Sequence, residues 1–149
     1  MSFKQKVHTV CTGHLDSRIS GLQHMLLEIA GAIASETKST AGDKHETTRA
    51  LMQLEQEKLH HQLHELVLQK NNLEKYSNVP AAAKIRTGNL IETDRVYIYL
   101  SVGIGKLTVE NIPVMVISPQ SPLGAKFLGL GVNQQAEMNG MVYVIKKIL

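Results

Sequence analysis

The chain has 149 residues, enough for one ordinary domain or two small ones, and its hydrophobic content of 43% excludes wholesale disorder. Aromatic residues make up only 4% and tryptophan is absent, which argues against a platform that stacks the bases of single-stranded nucleic acid. Lysine and arginine exceed aspartate and glutamate by 16 − 13 = 3, a mildly basic balance that suits an acidic partner without requiring one.

The sequence carries no sign of export or membrane insertion. The single cysteine, Cys11, excludes an internal disulfide and is typical of a reducing compartment. The N-terminal segment lacks the apolar run of about 7–15 residues that a signal peptide requires. No apolar stretch approaches the roughly 18 residues of a membrane-spanning helix. We therefore expect a cytoplasmic protein without a membrane partner.

The first predicted element is a long helix from about residue 15, or earlier, to about residue 35. Its apolar residues recur in steps of four and three, which places them on one face as a heptad seam. The seam residues are Leu15, Ile19, Leu22, Leu26, Ile29 and Ile33. Glycines at 13, 21 and 31 weaken this helix, each by up to about 1 kcal/mol relative to alanine. The seam predicts a helix that packs against a partner helix.

A second helix is predicted from residue 43 or 44 to residue 76. Apolar residues recur along it every seven positions, with an additional seam position at Leu63, and two polar residues interrupt the seam. The repeating residues are Met52, Leu59, Leu66 and Leu73, and the interruptions are Gln56 and Lys70. Because the link between the two helices is short, an antiparallel hairpin is favoured.

The link, residues 39–50 with the sequence STAGDKHETTRA, places two carboxylates near the point where the chain turns back. These are Asp43 and Glu46, which are three residues apart, so both can project from one side of a first helical turn. The same spacing is typical of an acidic capping box, which satisfies free backbone N–H groups and suits the helix dipole. The spacing alone favours the capping interpretation and leaves a functional role open.

The apolar pattern changes from helical to extended near residues 78–80, which predicts two domains, 1–78 and 79–149. Strands are predicted at 90–91, 95–102, 112–118, 135–138 and 141–148, separated by turn signals. Asn139-Gly140 stands between the last two of these strands and predicts a tight hairpin.

One short helix is predicted among the strands, at about residues 122–128. Ser121 is a favoured N-cap residue, and Pro122 occupies the first helical position, where its fixed φ is already helical. Gly129 follows at the position where many helices end in a left-handed conformation. These signals predict both ends of the helix.

The order of these elements resembles the bacterial GreA/GreB transcript cleavage factors over nearly the whole chain. The best local match is VISPQSPLGAKFLGLGV, residues 116–132, which resembles the family's strand, Ser-Pro, short helix and glycine-bounded turn. The second match is GDKHE, residues 42–46, which is similar to the Gre tip. The resemblance implies an α+β fold, with an N-terminal antiparallel coiled-coil hairpin followed by a small FKBP-like β-rich domain with one short helix.

The resemblance also implies a function. Gre factors bind RNA polymerase and insert their coiled coil into its secondary channel, where the tip acids help to hold Mg²⁺ and an attacking water. Asp43 and Glu46 would therefore act within the polymerase active centre, in indirect contact with the RNA 3′ end. The protein would not be an enzyme alone and would have no cofactor of its own, since the polymerase supplies the Mg²⁺. Its oligomeric state is left open.

The family docks its C-terminal domain on the rim of the channel. The resemblance therefore makes the start of the short helix a candidate partner-binding surface. Its residues are Ser121, Pro122, Leu123 and Gly124. The default interpretation of apolar residues in this helix is that they belong to the core.

Two alternatives remain open. Thr47, Thr48 and Arg49 stand where the family has acidic and aromatic residues, and Lys44 and His45 add positive charge beside the acids. This departure favours a regulator that binds the secondary channel without stimulating cleavage. The heptads alone also permit a coiled-coil interaction protein unrelated to transcription.

The histidines of the second helix can be interpreted as ligands of a zinc ion. His60, His61 and His64 are spaced so that pairs share a helix face. The sequence has no HExxH pattern, and its single cysteine is distant. We therefore expect these histidines to be surface residues or neighbours of the seam.

Overall fold

The computed structural model describes residues 1–37 and 43–149, and the side chains of residues 1–36 and 46–149. The elements are α1 (Phe3–Thr37), α2 (Asp43–Glu74), β1 (Leu90–Thr93), β2 (Tyr97–Leu100), β3 (Gly105–Val109), β4 (Ile112–Ile117), α3 (Pro122–Phe127), β5 (Gln135–Met138) and β6 (Met141–Ile148). The predicted α+β fold class, a helical hairpin followed by a sheet with one short helix, is confirmed. Within the described ranges, no helix is both long and apolar enough to cross a membrane.

The chain forms two compact units. One contains His14–Lys70, and the other contains Met1–Gly13 together with Asn71–Leu149. The first turns of α1 and the last turn of α2 therefore belong to the same unit as the sheet. The division predicted near residue 78 follows the change from helix to strand, whereas compactness divides each long helix along its length.

Within His14–Lys70, α1 and α2 pack in antiparallel fashion along the predicted seam. All six predicted seam residues of α1 are buried or half-buried, and Leu59 and Leu66 of α2 are buried. Lys70, late in α2, forms a 2.7 Å salt bridge with Asp16, early in α1. A polar residue in an apolar seam favours one register over others, because only that register gives it a partner. The interruption at Lys70 therefore supports the antiparallel pairing.

The start of α1 lies much earlier than residue 15. The backbone N–H of Gln5 donates to Ser2 Oγ at 3.2 Å, and the backbone N of Ser2 donates to Gln5 Oε1 at 2.8 Å. This reciprocal pair is a capping box, which satisfies two N–H groups that have no partner inside the helix. The Ser-x-x-Gln spacing therefore explains why α1 begins at Phe3, and it was the sequence signal for that boundary.

Six strands form one mixed sheet in the order β3-β4-β2-β1-β6-β5. The pair β2 and β4 is parallel, and the other four neighbouring pairs are antiparallel. The predicted strands omit β3, which lies at the edge of the sheet. Lys106 and Thr108 of β3 are exposed whereas Leu107 and Val109 are half-buried and buried, an alternation typical of a strand with one covered face.

Two tight turns connect the antiparallel hairpins of this sheet. Asn139 and Gly140 have φ angles of +54° and +79°, and they join β5 to β6 as predicted. Glu110 and Asn111 have φ angles of +52° and +66°, and they join β3 to β4. Positive φ at both central residues is typical of the two-residue turn whose twist matches that of paired strands.

Both faces of the central strands are covered within the unit that contains the sheet. Ile98 and Leu100 of β2 belong to a core that also contains Phe127 of α3. The remaining buried members of that core are Ile85, Ile91, Ala136, Tyr143, Ile145 and Ile148. Since side chains alternate along a strand, Tyr97 and Tyr99 lie on the opposite face. There the ring of Tyr97 packs on that of Phe3 of α1, with their centroids 5.0 Å apart.

Candidate functional site

The predicted tip acids lie in the first turn of α2. The helix begins at Asp43, within the predicted interval of residues 43 and 44. The side chain of Asp43 lies outside the described residues, as do those of Lys44 and His45, so the predicted capping box and acid pair stay predictions. The side chain of Glu46 is exposed. An exposed carboxylate in a first helical turn is available to a cation or a partner and is favoured by the helix dipole.

This carboxylate pair would need other ligands in order to hold a metal ion. Mg²⁺ takes six oxygen ligands in near-octahedral geometry, so two acids leave most positions to other groups or water. Among the side chains that the structure describes, no group of three or more His, Cys, Asp and Glu residues could hold a metal ion.

The histidines of α2 lie on its surface. His60, His61 and His64 are all exposed. His61 Nε2 lies 3.2 Å from Oε1 of Glu65, one turn later on the same helix. A pair of this kind is a common feature of a solvated helix face.

The start of α3 is built around one hydroxyl. Ser121 Oγ accepts a hydrogen bond from the backbone N–H of Gly124 at 3.1 Å and donates one to the carbonyl of Ser118 at 2.6 Å. Ser121 is thus the N-cap, Pro122 is in the first turn, and Gly129 follows with a φ of +81°. The predicted signals for the ends of this helix are confirmed.

The four residues predicted to bind a partner differ in their exposure. Pro122 is exposed, Ser121 is half-buried, and Gly124 is buried. Leu123 is partly buried and packs against the core. Ser121 and Gly124 thus shape the turn, and Pro122 is the member of the set that presents a large surface to solvent.

A second polar site, which sequence reasoning missed, lies where the first turns of α1 meet the sheet. His8 Nδ1 lies 2.8 Å from the hydroxyl of Tyr99, and this hydroxyl donates to the carbonyl of Tyr76 at 3.5 Å. Burial raises the pKa of Tyr99 and that of the neighbouring Cys11 thiol, so both stay protonated and Cys11 is no activated nucleophile.

The sequence held a weak signal for this packing but none for the pairing. Val7, Cys11 and Leu15 are spaced in steps of four, and all three are fully buried. That spacing extends the seam of α1 toward its start and could have placed Val7 in a core. His8 and Tyr99, however, are 91 residues apart, and no local pattern encodes a contact over that separation.

We expect His8 to make the sheet unit less stable in mild acid. Burial is the main cause that lowers the pKa of His8; Glu74 acts to raise it and Lys4 to lower it. A histidine with a lowered pKa in the folded state contributes stability above its unfolded value of about 6.5 and loses it as the pH falls through the folded value. Urea unfolding at about pH 8 and about pH 5 should show this loss, and His8→Gln should reduce it.

The comparison with His8→Gln isolates one histidine among seven, because the other six are common to both proteins. The hydroxyl of Tyr99, which contacts His8, has a pKa raised by burial and stays protonated at both pH values. An equal loss of stability in both proteins would assign the acid sensitivity to other groups.

Comparisons with known proteins identify no family for this chain. No protein-family model and no curated protein matches it. Among solved structures, it is similar to the crystal structure of GreA factor homolog 1 (Gfh1) of Thermus thermophilus, with 14% identity and a TM-score of 0.36. The similarity covers 93% of this chain and 94% of that one. At this TM-score the similarity establishes neither a shared fold nor a shared function.

Proposed function

We propose that the protein is a Gre-like transcription elongation factor, which binds RNA polymerase through its secondary channel and stimulates cleavage of backtracked RNA. The observation that carries the proposal is the exposed acid at the start of one helix of an antiparallel pair. At 1.5 Å per residue, the 32 residues of α2 span about 48 Å, so two such helices side by side make a narrow support for the acids.

Hydrolysis of a phosphodiester is the chemistry that fits these acids. Two-metal catalysis stabilises the attacking and the leaving oxygen with cations about 3.5–4 Å apart, and carboxylates are suitable ligands for Mg²⁺. Asp43 is proposed to hold metal or water, and Glu46 to position the water. Since two acids form no complete site, the polymerase provides the remaining groups and the Mg²⁺. On this proposal the protein is not an enzyme by itself and has no cofactor of its own.

The start of α3 is the proposed docking element for the polymerase. Pro122 is the exposed member of the predicted set, and Ala125 beside it is also exposed. Ser121 and Gly124 would act indirectly, by holding the turn that presents Pro122. Leu123 would contribute through its partly exposed edge.

A second candidate function is a regulator that occupies the channel without stimulating cleavage. The observation that favours it is the charge near the acids: Arg49 is exposed one turn after Glu46, and Lys44 and His45 lie between the two acids in the sequence. Cations close to a carboxylate compete with a metal ion for it. Such a protein would slow RNA synthesis and compete with a cleavage factor for the polymerase.

The test uses a stalled, backtracked elongation complex with labelled RNA and Mg²⁺. The protein is expected to accelerate shortening of the RNA from its 3′ end. The double variant Asp43→Asn, Glu46→Gln keeps the shape of both side chains and removes their charge, so the rate should fall to that of the polymerase alone. Glu57→Gln is the matched control, because Glu57 is an exposed acid of the same helix about three turns later.

Each outcome points to one function. Acceleration that survives the double variant would contradict the role of the acids. Polymerase binding without acceleration would favour the non-cleaving regulator. If the protein neither binds the polymerase nor accelerates RNA shortening, the remaining interpretation is a coiled-coil interaction module unrelated to transcription.

A further inference from the structure

Two adjoining cavities surround the turn that follows α2, within the unit that contains the sheet. Their volumes are about 240 and 380 Å³. Both are lined by Tyr76, Ser77, Asn78 and Val79, the first cavity also by Lys4 and His8, and the second also by Arg86. We refer to this pair of cavities as the Ser77 cavity. Ser77 and Asn78 are exposed, so the cavity is accessible from solvent.

One cation lines each part of the Ser77 cavity: Lys4 lines the smaller part and Arg86 the larger. The ammonium group of Lys4 donates to the carbonyl of Val79, and Arg86 Nη2 donates to the carbonyl of Pro80 at 3.4 Å. The carbonyls of two consecutive residues, Val79 and Pro80, thus accept hydrogen bonds from a lysine of α1 and from an arginine that precedes β1. Burial lowers the pKa of Lys4, and the charge of Arg86 lowers it further, as expected for neighbouring cations.

No carboxylate side chain lines either part of the Ser77 cavity among the described residues. Glu74 acts to raise the pKa of His8, and it forms no salt bridge with Lys4 or Arg86 within the described residues. Placing like charges together costs free energy, and an anion between them would offset that cost. The site therefore has an excess of positive charge and of hydrogen-bond donors.

We propose that the Ser77 cavity binds the phosphate group of a small ligand. Arginine offers a planar fork of donors that matches phosphate oxygens, and lysine adds a compact charge. The side chains of Ser77 and Asn78 supply neutral donors beside them. His8 also lines the smaller cavity, where its Nδ1 lies 2.8 Å from the hydroxyl of Tyr99. This proposal is independent of the proposed role in transcription.

The experiment is an NMR titration of the full chain labelled with ¹⁵N. Inorganic phosphate, pyrophosphate and AMP are added in separate arms at constant ionic strength, with sodium chloride as the balancing salt. The amides of Ser77 and Asn78 are expected to shift and to saturate in at least one arm. The arm with the tightest binding identifies the source of the phosphate group as a free ion or a nucleotide.

Variants test whether the two cations are responsible. Lys4→Gln and Arg86→Gln should each weaken binding by about tenfold, because each removes a charge-assisted hydrogen bond. Lys84→Gln is the matched control, since Lys84 is an exposed lysine of the same segment and does not line the cavity. The amide spectrum of each variant shows whether it is folded, and Arg86→Lys keeps the charge and should retain part of the affinity.

The proposal fails under either of two results. Absence of saturable shifts in all three arms would show that the cavity binds no phosphate group. Equal weakening by Lys84→Gln and by the two lining variants would show general attraction to a basic surface. Neither result bears on RNA cleavage, so the two proposals are tested separately.

Discussion

Gly124→Ala is expected to lower the free energy of unfolding of the sheet unit by roughly 2–4 kcal/mol, the sum of overpacking and the loss of a helix cap. A Cβ atom on residue 124 would lie 2.0 Å from the carbonyl oxygen of Ser118 and 2.8 Å from Ser121 Oγ. Both atoms are fixed, since Ser121 Oγ donates to that carbonyl at 2.6 Å. The backbone at the start of α3 must therefore move, and the hydrogen bond from Gly124 to Ser121 is lost.

Tyrosine fluorescence during urea unfolding measures the free energy of unfolding of the sheet unit. The chain has four tyrosines and no tryptophan, and all four lie in Asn71–Leu149. Gly103→Ala is the control, because a Cβ at Gly103 would meet nothing within 4 Å. Its effect should stay within about 0.5 kcal/mol. Similar destabilisation by both substitutions would contradict the steric explanation.

Phe127→Ala should have a larger effect, a loss of about 3–5 kcal/mol. Phe127 is fully buried in the core beneath the sheet, and its ring meets that of Tyr143 at a centroid distance of 5.9 Å and an angle of 66°. Alanine would remove the ring, leave a cavity and forfeit this edge-to-face contact. Because a small unit of this kind is stable by only about 5–15 kcal/mol, much of its stability would be lost.

Leu128→Ala is the neighbouring control for Phe127→Ala. Leu128 is the next residue along the chain and is 42% exposed, so its truncation should cost less than about 1 kcal/mol. The midpoint of the urea transition is the quantity to compare, because removal of the Phe127 ring also alters the emission of Tyr143. A shift for Leu128→Ala as large as that for Phe127→Ala would contradict the assignment of Phe127 to the core.

The helical hairpin could be predicted because its rules are local. A repeat of four and three residues determines which side chains face a partner, and the predicted α1 seam is buried or half-buried throughout. The start of α1 was predicted only as residue 15 or earlier, because the apolar seam does not determine where the helix begins. Ser2 and Gln5 cap the helix, and such a cap leaves no trace in apolar periodicity.

The sheet could be predicted in part. Turn residues located the hairpin at Asn139-Gly140, since few residues adopt a positive φ at low cost. Strand β3 was missed although Lys106 to Val109 alternate between polar and apolar side chains. The reason is that a short edge strand beside glycines resembles a turn. The parallel pairing of β2 with β4 depends on contacts between distant parts of the chain, which periodicity does not describe.

The two candidate sites, the tip acids and the Ser77 cavity, also differ in whether local sequence patterns can locate them. The tip acids are three residues apart in the sequence, so their proximity is predicted from their spacing alone. The Ser77 cavity unites Lys4 with Arg86, which are 82 positions apart, and only the folded chain brings them to adjacent carbonyls. Sequence reasoning therefore favoured the first site and had no means of finding the second.

The division of the chain into units has a consequence for its synthesis. Met1–Gly13 leaves the ribosome well before Asn71–Leu149, the segment that completes its unit and includes strand β6. Strand β1 pairs with β6, so translation must reach residues 145–148 before that pair can form. Folding of the sheet unit is therefore delayed until β6 has been translated, whereas His14–Lys70 is available to fold earlier. A nascent chain would pass through a stage in which the helical hairpin is formed and the sheet unit is still unfolded.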